Sequence, residues 1–190
     1  MGLDQDVLLA VVGWRNPVLD PVMIGLSIVG LSYFTFLWAA PLWFLRRHRD
    51  ALDLIVLLAI TEVLAYALKV AFGVPRPGPP LVIPLTVPLD DLSEAAFPSG
   101  HAARAFAAAI LLTLRTRESW WWSPFLLTYA VLVSVSRLYV GAHWPSDVLG
   151  GAILAVGLTL PFEFAVRVPA YARRRDAAIA WLESLGRREE

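Results

Sequence analysis

The sequence predicts an all-α fold: a polytopic membrane helix bundle of five to six hydrophobic helices. Of 190 residues, 58% are hydrophobic and 17% are charged, and the mean hydropathy is +0.63. A soluble domain carries about 25% charged residues. The apolar residues also collect into runs near bilayer length, which takes roughly 20 residues of helix. The chain reads as one membrane domain over residues 1–172, with a short tail helix over 173–190.

The elements follow in order. Leu3–Trp14 reads as an amphipathic helix too short to cross. Leu19–Leu45 is the first long hydrophobic segment. Its Gly25 and Gly30 leave two readings open, one tilted helix or an interfacial helix to about Gly30 followed by a crossing one. Leu52–Phe72, Ser99–Leu114, Trp120–Val135 and Val148–Val166 complete the hydrophobic helices. Between the second and third lies a loop holding half of the 14 prolines (Pro75, Pro77, Pro79, Pro80, Pro84, Pro88 and Pro98). Proline fixes φ and cannot continue a helix, so this loop reads as a stiff lid. In the tail, Ile179, Trp181, Leu182 and Leu185 supply the apolar residues.

Charge sets the orientation. Arg46-Arg47-His48-Arg49, Arg115 with Arg117, and Arg173-Arg174-Arg175 follow the first, third and fifth hydrophobic segments. Basic clusters on alternate loops mark one face as cytoplasmic, and Trp120-Trp121-Trp122 suits the headgroup layer there. The expected location is the cytoplasmic (inner) membrane, with the other loops outside. The first fourteen residues contain no Lys or Arg, so a cleavable signal peptide is not expected. Net charge is zero and cysteines are absent. No global field suggests a nucleic-acid partner, and disulfides, thiolate metal sites and thiol catalysis are excluded.

Three polar clusters fall at helix ends on the predicted outer face: Lys69-Val-Ala-Phe-Gly-Val-Pro-Arg76-Pro77, Pro98-Ser99-Gly100-His101, and Ser136-Arg137 through His143 to Asp147. Ser99 is a good N-cap, and a helix start presents free N–H groups to an anion. A plain cap with an interfacial histidine is the other reading of that tetrapeptide alone. Asp147, one turn from His143, can hold one ring nitrogen and leave the other free to react. A histidine zinc site needs three or four ligands; only His48 remains, on the opposite face, so no metal is expected. Lys69, Arg76 and Arg137 together suit a trianion, Arg offering bidentate forks. Lys69 by itself could equally snorkel.

The ordered pattern Lys-x6-Arg-Pro, Pro-Ser-Gly-His and Ser-Arg-x5-His-x3-Asp resembles the full signature of the type 2 phosphatidic acid phosphatase superfamily. The resemblance covers residues 69–147. It implies a membrane phosphatase domain with an outer-face active site. His143 would be the nucleophile that forms a phosphohistidine, Asp147 its orienting partner and His101 the general acid. Lys69, Arg76, Ser99, the Gly100 amide and Arg137 would hold the phosphoryl oxygens. No cofactor is implied, cationic side chains filling the role of a metal.

Two intramembrane charges lie beside this pattern. Arg104, one turn past His101, is expected either to face the pocket and contact a headgroup or second phosphate, or to snorkel. Glu62, near the middle of its helix, is expected to be protonated or hydrogen-bonded to a neighbouring helix. Asp90-Asp91-x-x-Glu94 resembles a metal–diphosphate motif, and solvated loop carboxylates are the favoured reading. The substrate expected is a lipid phosphate or diphosphate, with a polyprenyl (undecaprenyl) diphosphate first. Phosphatidylglycerophosphate or phosphatidic acid is the alternative, and a non-catalytic lipid-phosphate binder or transporter the reading from another class. A haloperoxidase of the same superfamily is disfavoured by the bilayer-length helices.

Overall fold

The computed structural model describes residues 2–78, 81–83, 95–116 and 121–186. In these the chain forms helices α1 (Leu3–Val12), α2 (Leu19–Val29), α3 (Ser32–Phe36), α4 (Ala39–Phe44), α5 (His48–Phe72), α6 (Gly100–Arg115), α7 (Ser123–Tyr139), α8 (Pro145–Ala165) and α9 (Pro169–Gly186). Asp90, Asp91, Glu94, Arg117 and Trp120 lie outside the described residues.

Helices α5 and α8 are long and apolar enough to cross a bilayer. A third span exists if α2 and Ser32–Phe44 count as one, bent by 64°. This is fewer full-length spans than the five expected. The difference falls on α6 and α7, of 16 and 17 residues. At 1.5 Å per residue, each is several ångströms short of a hydrocarbon core about 30 Å thick. Helix α6 can be short because α5, α7 and α8 pack around it, and protein, not lipid, satisfies its surface. Its Ala102, Ala103, Ala105, Ala107, Ala108 and Ala109 are fully buried. Small side chains let backbones approach closely, which drives helix association where the surroundings are as apolar as the core. Gly151 of α8 marks a tight crossing: a Cβ there would stand 2.5 Å from the Ser99 carbonyl oxygen.

The first hydrophobic segment is broken at Gly30 and Leu31, which answers the question its glycines left open. Its bend is packed from outside, since a Cβ on Gly30 would meet Val133 Cγ1 at 2.5 Å and His101 Cδ2 at 2.9 Å. Helix α7 begins at Ser123, with Pro124 in its first turn, later than the expected Trp120. It runs on through Ser136 and Arg137 to Tyr139, so these residues form its last turn. The tail helix starts at Pro169, ahead of the expected 173.

The basic clusters meet at the end of the bundle away from the three motifs, and several of their charges are matched. Asp53, fully buried, accepts hydrogen bonds from Tyr171 (2.8 Å) and Arg175 (2.8 Å) and pairs with Arg115 at 3.2 Å. Arg115 also reaches Glu163 (2.5 Å) and Asp50 (2.9 Å), and Arg49 pairs with Asp176 at 2.9 Å. This network ties α5, α6, α8 and α9 together.

Candidate active site

The C-terminal ends of α5 and α7 and the N-terminal ends of α6 and α8 meet at the other end, and each delivers one part of a motif. Gly73 in the left-handed conformation (φ 58°) closes α5 just past Lys69, as expected of a helix stop. Lys69 is buried, and its ammonium donates to the Ala95 and Ala96 carbonyls at 2.8 and 3.2 Å. Arg76 donates to the Ala142 carbonyl at 3.4 Å. Two cations of the first motif therefore grip the backbone that precedes the second motif and the loop that carries His143.

Ser99 stands at the N-cap of α6 without using its side chain as a cap. Its buried Oγ has no hydrogen-bond partner among the described residues, and its N–H donates to the Asp147 carbonyl at 2.9 Å. The second and third motifs are thus joined through the backbone. Gly100 lies against the Arg104 guanidinium, where a Cβ would come 3.0 Å from Nη1.

Arg137 and His143 are both fully buried, and His101 and Asp147 nearly so. His143 Nδ1 lies 3.4 Å from Asp147 Oδ2, which itself accepts the Trp144 N–H at 2.7 Å. With Nδ1 turned to the carboxylate, Nε2 faces the opposite way. Neither ring nitrogen meets hydrogen-bond geometry among the described residues. Burial first, then the charges of Arg137, Arg76 and Lys69, hold the His143 imidazole well below the usual histidine range. It is neutral at neutral pH, the state a nitrogen nucleophile requires. His101 also lies within electrostatic reach of Arg137, Arg104 and His143.

All eight residues expected to act on a phosphate are therefore gathered at one end, in one polar cluster that is buried except for the half-buried Arg76. Arg104 sits beside it, buried, paired with Glu62 of α5 and donating to the Gly30 carbonyl at 3.5 Å. The Glu62 carboxylate is thus matched across to a neighbouring helix. A cavity of about 1240 Å³ lies at the far end around Arg47, Arg115, Glu163 and Arg175. It is distant from the motifs, and the ion pairs described above occupy most of its charged groups.

Several contacts at the motif end had no counterpart in the sequence reading. Arg15 donates to the Tyr139 and Leu81 carbonyls, the former at 2.9 Å through Nε. The Tyr139 hydroxyl donates to Asp20 at 2.6 Å, and Asp4 accepts from the N–H (2.9 Å) and hydroxyl (2.5 Å) of Ser146. Gly141, at φ 74°, presses on Leu81 so closely that a Cβ would stand 1.9 Å from its carbonyl oxygen. Ile83 donates to the Val140 carbonyl at 2.9 Å. The N-terminal segment and a piece of the proline loop thus strap the His143 loop in place. Ser27 of α2 reaches further in, its Oγ accepting from Arg137 Nη1 at 2.5 Å. A lone serine in an apolar helix beside two glycines was the one available sign of it.

Comparison with known proteins agrees with the geometry. The family model described as the PAP2 superfamily matches residues 50–170. An undecaprenyl-diphosphatase of Sulfolobus acidocaldarius is 34% identical over 137 residues, covering 72% of this chain and 65% of that protein; the chain thus spans a little under two thirds of this relative's length. Phosphatidylglycerophosphatase B of Bacillus subtilis is 30% identical over 174 residues, covering 84% of this chain and 80% of its own. The crystal structure of Aquifex aeolicus LpxE superposes with a TM-score of 0.72 at 28% identity, covering 85% of this chain and 95% of that one.

Proposed function

This chain belongs to the PAP2 superfamily as a membrane-embedded lipid phosphatase, and from that premise we propose that it hydrolyses a polyprenyl diphosphate to the monophosphate and inorganic phosphate. One observation carries the chemistry: a neutral imidazole, His143, stands with Nδ1 3.4 Å from Asp147 and within electrostatic reach of Lys69, Arg76 and Arg137. The choice of a diphosphate is supported by the 34% identical relative named for that activity.

In this reading, the substrate's terminal phosphoryl group lies among Lys69, Arg76, Arg137, the Ser99 hydroxyl and the Gly100 N–H. The free Ser99 Oγ and the N-terminus of α6 suit its oxygens. His143 Nε2 bonds to phosphorus as the bridging P–O bond breaks in line. Asp147 keeps Nδ1 protonated and balances the charge that develops on the ring. His101, protonated on both nitrogens once the phosphate anion lies beside it, gives its Nε2 proton to the departing oxygen of the polyprenyl monophosphate. A water then attacks the phosphohistidine, gives its proton to His101 and releases phosphate. Positioning and charge stabilisation supply the rate, as phosphoryl transfer requires. The basic clusters at the far end favour placing that end in the cytoplasm and the active site on the extracytoplasmic face of the inner membrane.

The test is phosphate release by detergent-purified protein in EDTA. Substrates are undecaprenyl diphosphate, phosphatidylglycerophosphate and phosphatidic acid, with His143→Ala as control. Release fastest from the diphosphate, and absent in the variant, is the expected result. A preference for phosphatidylglycerophosphate would move the assignment to the activity named for the Bacillus relative. Binding without release from any lipid would leave a carrier.

A further inference from the structure

The elbow between α2 and α3 lies outside residues 50–170, the part matched to the family, yet it touches two of the three motifs. Its geometry begins with how α2 ends. The Gly30 N–H goes to the Leu26 carbonyl, and the Leu31 N–H goes to Ile28. Ser27 is passed over, so its carbonyl is one of the acceptors that a helix C-terminus leaves unused. The His101 ring donates to that carbonyl. The hydroxyl of the same residue accepts Arg137 Nη1 at 2.5 Å. Ser27 is 1% exposed, so neither bond competes with bulk water.

Three residues along, Gly30 lets the elbow come this close. A Cβ there would lie 2.9 Å from His101 Cδ2, and its carbonyl accepts from Arg104 at 3.5 Å. One bent turn of backbone therefore sets a guanidinium from the third motif and an imidazole from the second. A planar guanidinium held through one nitrogen keeps its remaining donors in a fixed plane.

We propose that Ser27 is a positioning residue that aligns Arg137 toward the phosphoryl oxygens and His101 toward the leaving oxygen, with Gly30 as the spacer that makes both contacts possible. This rests on the roles given to Arg137 and His101 above. It predicts a separable effect for each half of the elbow, because one substitution removes the hydroxyl and another displaces the ring.

The experiment uses the full chain in detergent. In Ser27→Ala the residue-27 carbonyl stays and the Arg137 partner goes. Orthovanadate binding, measured by calorimetry, and kcat for undecaprenyl diphosphate are both expected to fall by about ten- to a hundredfold, the range for a hydrogen bond to a charged group. The KM should hold within about threefold, and Ser27→Thr should restore both losses because it keeps the hydroxyl. Gly30→Ala should lower kcat on the lipid by at least about tenfold more than on p-nitrophenyl phosphate, whose leaving group needs no acid. Vanadate affinity and kcat within about twofold of wild type in Ser27→Ala would overturn the proposal, as would equal losses on both substrates in Gly30→Ala. Vanadate binding needs no turnover. A wild-type protein that hydrolyses none of the lipids would therefore sink the assigned reaction while still testing the elbow.

Discussion

Removing the Glu62 carboxylate should destabilise the bundle more than removing the Arg104 guanidinium it pairs with. The two meet across α5 and α6, with side-chain exposures of 45% and 6%. Glu62 lies near the middle of α5, a helix long enough to cross the bilayer, so its exposed half faces hydrocarbon and water does not screen the pair. Breaking a buried ion pair from one side costs about 3–5 kcal/mol because the other charge is stranded. The cost is unequal between partners. A stranded Glu62 can take up a proton, whereas a stranded Arg104 stays charged. At about 2–4 °C per kcal/mol for a domain of this size, Glu62→Ala should lower the Tm by roughly 6–20 °C. Arg104→Met, which roughly keeps the volume, should lower it by less than half as much. The double variant should recover most of the Glu62→Ala loss, since it leaves no charge behind. Thermal unfolding of the four proteins in one detergent gives the cycle. If Glu62→Ala unfolds within about 2 °C of wild type, or the two single losses simply add, the pair does not hold the helices together.

Other outcomes follow from the same geometry. Because the folded His143 imidazole is held below its unfolded value, its contribution to stability is full above about pH 6.5 and falls by up to roughly 1.4 kcal/mol per pH unit below it. His143→Gln should remove that dependence in pH-resolved melts. The rate should follow a bell shape whose acid limb, set by His143, lies below about pH 6.5, and a rate flat on both limbs would count against the two histidine roles. Arg104→Ala should slow diphosphate and monophosphate lipids by the same factor, because Glu62 already engages its guanidinium; a loss confined to diphosphates would return Arg104 to the second phosphate. Asp53→Ala, at the far end, should cost about 3–5 kcal/mol of stability with kcat/KM kept in the folded fraction. A fall in kcat/KM with an unchanged Tm would show that the two ends are coupled.

The motif positions were legible because each cluster stands where a helix starts or stops, and Gly, Pro and Ser announce such places. Ser99, read as an N-cap, did so directly. Helix limits were less readable where packing decides them. The hydrophobic run of α7 reads only to Val135, but the left-handed turn waits until Gly141, six residues on, and the helix continues through Ser136 and Arg137 to Tyr139. The basic clusters were read only as an orientation signal, since nothing in the sequence says that Asp50, Asp53 and Glu163 from two helices will meet them. Ser27 was hidden for a similar reason. Its importance comes from which carbonyl a broken helix leaves unused, and the break is itself selected by contacts with Val133 and His101 more than a hundred and about seventy residues away.

The bond between Asp4 and Ser146 carries a consequence for biosynthesis. Asp4 is synthesised ahead of its partner, which stands 142 positions later, at the start of α8. Contacts of such separation form late and slow the search for the native state. While the chain is translated, α1 has only transient neighbours, and the strap over the His143 loop closes once α8 has been made and inserted. Shortened chains that stop before Ser146 would hold the first two motifs yet leave the amino-terminal segment undocked. Protease sensitivity of α1 in a series of stalled chains would then report the moment at which the phosphatase becomes complete.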